Sequence, residues 1–225
     1  MLRSFLQKHR NVLQFQNSLS NSQLRSFGFK GLLSLLNPTT PSVAMSKDHR
    51  LIWIDMEMTG LDPVSDHILE VACIITEGNL QIVAEHTPLV IHQSDEILAS
   101  MNEWCVKHHG QSGLTEACRK SHTSLQQAED QLLTFLRVHS PSGKCPLAGN
   151  SVYMDRLFLS RYMPRLDRHI HYRIVDVSTI KELCRRWAPH AFRNAPKKKL
   201  QHRALFDIKE SIEELKYYRK FMFSD

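Results

Sequence analysis

The sequence predicts an α/β protein, a single folded domain with a mixed sheet flanked by helices. Three observations predict it. An apolar run at 51–58 (LIWIDMEM) ends in acids and a Thr59-Gly60 breaker. Two segments rich in β-branched residues, 67–77 and 80–91, follow and join at Gly78-Asn79. Beyond them, segments with helical apolar spacing alternate with two short apolar runs at 145–149 and 172–177. Strands and helices in this order bury a central sheet under helical layers.

The run at 51–58 reads as a buried strand because its apolar residues are continuous rather than alternating. Gly78-Asn79 is a hairpin signal between the next two strands. Residues 95–109 predict a helix, with Ile97, Leu98, Met101 and Trp104 at helical spacing. A second helix at 124–138 carries Leu125, Ala128, Leu132 and Leu136 on one face. Residues 145–149 (CPLAG) predict a short strand, and a helix follows at 152–162. Residues 172–177 (YRIVDV) predict the last strand. A helix over 178–188 is capped by Ser178 and stopped at Pro189. Residues 189–199 read as a basic loop ahead of a final helix over 203–221.

The chain has 225 residues, of which 42% are hydrophobic, too apolar for a disordered chain. It lacks the run of about 18 apolar residues that a membrane-spanning helix needs, so no membrane partner is expected. Its net charge of +6 points to an anionic partner, but the charges are unevenly spread. Residues 1–46 hold five basic side chains and no acid; residues 47–150 hold 7 basic and 14 acidic, and residues 151–225 hold 17 and 9. The first 46 residues predict a mitochondrial targeting segment and linker, disordered or removed. Leu2, Phe5, Leu6 and Leu13 share a helical face, with Arg3 and Arg10 off it, and 38–41 (PTTP) reads as the linker. Lys8, His9 and Arg10 interrupt the apolar stretch a secretory signal would need. A disordered basic tail is the alternative. Initiation at Met45 would give a cytosolic or nuclear form without the segment. The five cysteines are odd in number and widely spaced, which argues against a disulfide framework and a cysteine zinc site.

The chemistry gathers in acids at strand and helix ends. Asp55 and Glu57, two apart on a strand, point to one face. Two carboxylates that close repel unless a cation holds them, and Mg²⁺ suits that role; a solvated strand end is the plainer alternative. Asp155 falls in the first turn of its helix, where any acid is favoured by the dipole. His202 and Asp207 bracket the start of the last helix. If helical throughout, they would lie about 140° apart. They address one site only if His202 precedes the helix or begins it.

Together these blocks, D-x-E, then D, then H-x-x-x-x-D, resemble the signature of the DEDDh 3′→5′ exonucleases. The text around them is more specific. Residues 53–61 (WIDMEMTGL), 101–104 (MNEW), 149–151 (GNS) and 171–178 (HYRIVDVS) resemble the oligoribonuclease family, including its mitochondrial form, over about residues 50–221. The resemblance implies a ribonuclease H-like fold with a mixed five-stranded sheet. It implies a homodimeric exoribonuclease that degrades dinucleotides to about five nucleotides, in the matrix or intermembrane space. Asp55, Glu57, Asp155 and Asp207 would hold two Mg²⁺ or Mn²⁺ ions, with His202 as general base. Leu61 and Trp104 resemble a wedge and a stacking residue for the terminal bases; without the resemblance, Trp104 reads as helix core. Ser151 and His109 resemble donors to the substrate's 5′ phosphate. Tyr172 and Arg173 resemble residues given to that phosphate by a second subunit. Lys197, Lys198 and Lys199 either contact RNA or solvate a loop, and the solvated loop is the plainer reading. An exonuclease acting on DNA or longer RNA, and a silent nucleic-acid-binding module, are the competing functions.

Overall fold

A computed structural model describes residues 46–198 and 203–223. The targeting segment expected in 1–46, save Ser46, the start at Met45, and Lys199 and His202 lie outside the described residues.

Three strands open the domain: β1 (Leu51–Met58), β2 (Ile68–Thr76) and β3 (Ile82–Val90). Four helices follow: α1 (Asp95–Ala99), α2 (Glu103–Gln111), α3 (Leu114–Lys120) and α4 (Leu125–His139). Then come β4 (Pro146–Gly149), α5 (Tyr153–Tyr162), α6 (Pro164–His169), β5 (His171–Asp176), α7 (Val177–Trp187), α8 (Pro189–Arg193) and α9 (Ala204–Met222). The strands form one sheet in the order β3-β2-β1-β4-β5. β1 pairs antiparallel with β2 and parallel with β4, and β4 pairs parallel with β5. The mixed five-stranded sheet with flanking helices is the expected architecture.

Alternation along β1 divides the core. Ile52, Ile54 and Met56 face one layer, with Leu132 and Leu136 of α4 and Phe158 of α5. Trp53 faces the other layer, with Ile208, Ile212 and Tyr218 of α9. The period of two therefore carries Asp55 and Glu57 onto the α9 face. β2 is buried along its whole length, Glu70 included.

Several local expectations are corrected. The helix expected at 95–109 is two, α1 and α2. The Asn102 side chain accepts from the Cys105 N–H at 2.9 Å, and its backbone is extended, which starts a new helix there. Helices α3 and α6 interrupt stretches without a clear helical period, and α8 occupies part of the expected basic loop. Pro stands at the first turn of α6 and α8, where its missing N–H costs nothing. The cap of α7 is Asp176, which accepts from the Ser178 N–H, rather than Ser178 itself. In the hairpin, the left-handed residue is Leu80, at φ 73°. All five cysteines are unpaired and buried. No described helix is long and apolar enough to cross a membrane.

Candidate active site

Asp55 and Glu57 leave the end of β1 on the side that α9 covers. Asp207 sits in the first turn of α9. One carboxylate oxygen from each of these three residues lies within 4.8 Å of the other two. Asp155 enters from the first turn of α5 and is buried. Its Oδ1 accepts the Met56 N–H at 3.0 Å, between the two β1 acids. That N–H is available because β4 pairs with β1 only at Ile52 and Trp53. Where the two parallel strands part, Asp155 takes over the ladder position.

Without a cation this cluster is unfavourable. Burial, and then Asp207, push the Asp55 carboxyl up to about 8, against the opposing charge of Lys198. Burial, and then Asp55 and Asp207, push Glu57 up to about 8 as well. Asp155 is raised well above the usual carboxylate range, first by burial and then by Asp55. A divalent ion relieves the repulsion and takes the place of the protons. Hard oxygen donors converging this closely fit Mg²⁺ or Mn²⁺. The fit supports divalent-metal dependence and disposes of the solvated strand end as a reading of Asp55 and Glu57.

Beside the acids lies a cleft of about 400 Å³, whose lining includes Glu57, Gly60, Leu61, Trp104 and His109. Leu61 is 69% exposed and Trp104 53% exposed. Trp104 is thus a cleft wall and not helix core; Met101 and Cys105 are the core residues there. Its ring stacks on His108 with centroids 4.0 Å apart. The loop bearing Leu61 is stapled by Asp66, which accepts from Thr59 Oγ1 at 2.8 Å and from the Asp62 N–H at 2.9 Å. Gly60 lies against that carboxylate, and a Cβ there would collide with it. His109 is buried, with Nε2 2.9 Å from the Met58 carbonyl and Nδ1 3.8 Å from Glu57 Oε2.

The remaining residues singled out in the sequence lie elsewhere. Ser151 adopts φ 51°, and its N–H donates to Asp176 Oδ1 and Ser178 Oγ, both at 2.9 Å. Tyr172 and Arg173 lie on the edge strand β5, where Tyr172 is 73% exposed and the guanidinium sits 5.4 Å from its ring centroid. Lys198 is not simply solvated: its Nζ donates to Ser211 Oγ at 3.0 Å and lies 3.7 Å from buried Glu214. The described helix begins at Ala204, two residues after position 202.

Sequence reasoning missed Glu70 and Arg203. Glu70 is fully buried on β2 and paired in register with Glu57. Arg203 Nη2 donates to Glu70 Oε1 at 2.6 Å. The available signal was a single acid inside an otherwise apolar strand, which requires a buried partner.

A family model described as an exonuclease matches residues 52–215. The chain is 56% identical over 178 residues to "Oligoribonuclease, mitochondrial" of Homo sapiens, covering 79% of this chain and 75% of that protein. The chain belongs to the oligoribonuclease family. As a member it is a 3′→5′ exoribonuclease. It is also 53% identical to "Probable oligoribonuclease" of Dictyostelium discoideum, over 82% of this chain and 98% of that one. Among solved structures, exonuclease I of Methylocaldum szegediense matches with a TM-score of 0.60 at 16% identity. That match covers 77% of this chain and 41% of the exonuclease, and it supports the ribonuclease H-like fold alone.

Proposed function

We propose that this oligoribonuclease-family chain removes nucleotides from the 3′ end of RNAs of two to about five nucleotides. In this reading Asp55, Glu57, Asp155 and Asp207 hold two Mg²⁺ or Mn²⁺ ions. The observation that carries it is the convergence of Asp55, Glu57 and Asp207, with Glu57 also lining the cleft of Leu61 and Trp104.

Ions held by these four carboxylates would supply positive charge to the phosphate as it is attacked. The chain's own groups do the rest. Trp104 offers a flat face to a terminal base, with stacking of about 1–3 kcal/mol and little base preference. Leu61 wedges against the neighbouring base. His202 takes the proton from the attacking water, a role that imidazole side chains commonly fill. The water oxygen bonds to phosphorus, the P–O3′ bond breaks, and the products are a 5′-nucleotide and a shortened RNA with a free 3′ hydroxyl.

Ser151 and His109 are proposed as donors near the 5′ phosphate. His109 lines the cleft of Leu61 and Trp104, which supports its placement beside the substrate. Tyr172 and Arg173 are proposed to reach, across a homodimer interface, the 5′ phosphate of the substrate bound by the other subunit, and their exposure on an edge strand favours that arrangement. Closing the 5′ end in this way limits substrate length. Residues 1–46 are proposed as a mitochondrial targeting segment, with Met45 as the start of an untargeted form, and 47–225 as the exonuclease domain.

A ladder of RNAs from two to about twenty nucleotides, with a DNA ladder in parallel, tests the reading. Hydrolysis fastest at the dinucleotide and abolished by EDTA is the expected result. Equal rates on the dinucleotide and the 20-mer would exclude the short-substrate assignment.

A further inference from the structure

Glu70 and Arg203 touch no reacting group in this scheme, yet they form a multiply bonded ion pair beside the acids. Glu70 is fully buried, opposite Glu57 across the β1–β2 ladder. Its Oε1 accepts from Arg203 Nη2 at 2.6 Å, and its Oε2 from Arg203 Nε at 3.1 Å. The same Oε2 accepts the backbone N–H of Ala204 at 3.1 Å. Helix α9 needs this help. Its cap residue is Arg203, whose side chain has no acceptor for the exposed N–H groups of the first turn. A carboxylate from a neighbouring strand supplies that acceptor. Asp207 lies in the turn so capped.

The cap therefore fixes the first turn of α9 to β2, and β2 is fixed to β1 through the register that pairs Glu70 with Glu57. Asp207 is referred to Asp55 and Glu57 by that chain of contacts. We propose that Glu70 and Arg203 are positioning residues for the metal site, holding Asp207 against Asp55 and Glu57 through the start of α9. The inference rests on the reading of those three acids as metal ligands.

The test is Mn²⁺ binding to the full chain by titration calorimetry, with thermal unfolding and with kcat and KM on a dinucleotide measured alongside. Glu70→Gln and Arg203→Ala should each weaken Mn²⁺ binding by about 10–100-fold, the usual cost of losing an outer-shell partner. They should lower kcat with KM nearly unchanged. Arg203→Ala is the decisive variant. It removes a positive charge that acts on Glu57, so charge alone would tighten Mn²⁺ binding, whereas lost positioning weakens it. Unchanged or tighter binding in Arg203→Ala overturns the inference. If that variant does not fold, Arg203→Lys keeps the charge, loses the fork, and is judged by the same criterion. Glu129→Gln is the matched control. Glu129 is also buried, pairs with Arg165, and accepts N–H groups at the start of α6, on the opposite face of the sheet. It should lose thermal stability and keep its Mn²⁺ affinity; equal weakening there also overturns the inference. Asp207→Ala is the reference. If it leaves Mn²⁺ binding intact, the metal assignment itself fails, and the positioning role with it.

Discussion

The cost of crowding carboxylates at the end of β1 is measurable without any nuclease assay. The perturbation is Asp55→Asn, which keeps the side chain's shape and removes its charge. In the metal-free chain Asp55 is raised from 3.8 to about 8, chiefly by burial and then by Asp207. The folded state thus binds a proton that the unfolded state has released. Stability falls as pH rises from the unfolded value to the folded one, between about 4 and 8. One pK unit corresponds to about 1.4 kcal/mol, so the three units from pH 5 to pH 8 set a ceiling of about 4 kcal/mol for Asp55. Glu57 is raised to about 8 in part by Asp55, so the two residues share that cost rather than each bearing it alone. A gain of about 2–3 kcal/mol for Asp55→Asn at pH 8 follows. For a domain of this size it raises Tm by roughly 5–10 °C. The assay is thermal unfolding in EDTA at pH 5 and pH 8, repeated with Mg²⁺. The unaltered chain should lose stability from pH 5 to pH 8 in EDTA and regain it with Mg²⁺, more at pH 8. Asp55→Asn should flatten the pH dependence and abolish most of the Mg²⁺ response. An EDTA-treated variant no more stable than the unaltered chain at pH 8 would refute the reasoning.

Three further outcomes are expected. Trp104→Ala should lower kcat/KM on a dinucleotide by about 1–3 kcal/mol, roughly 5–150-fold. Tm should hardly move, because the ring is half-exposed and adds little to the core. His202→Ala should lower kcat by about 10²–10⁴-fold while calorimetric Mn²⁺ affinity stays near normal, since a general base is not a ligand. Arg173→Ala should slow a 5′-phosphorylated dinucleotide more than its 5′-hydroxyl counterpart, and equal slowing of the two would remove the residue from the phosphate.

The sheet was legible because each strand announces itself locally. The run at 51–58 is buried almost throughout and the segments flanking Gly78-Asn79 are joined by a tight turn, and both leave a mark in adjacent residues. The helices were less legible where capping competes with periodicity. Ile97, Leu98, Met101 and Trp104 keep helical spacing across a break that Asn102 imposes by bonding the Cys105 N–H. Trp104 shows the same limit at the site. Its spacing fits a core face, and only its exposure on the cleft assigns it to the wall.

The sequence by itself determined which residues could do the chemistry. The strand period places Asp55 and Glu57 on one face, and the motif text names Asp155, His202 and Asp207 as their companions. Only the tertiary structure decided how the acids meet. The parting of β4 from β1 leaves the Met56 N–H for Asp155 to bind. The register of β1 with β2 brings Glu70 opposite Glu57, and Glu70 reaches across 133 positions of chain to Arg203. Such contacts leave no periodic trace, because nothing in a local stretch records which distant residue will satisfy a buried charge. A lone acid within an apolar strand says that a partner must exist, and the fold alone says which.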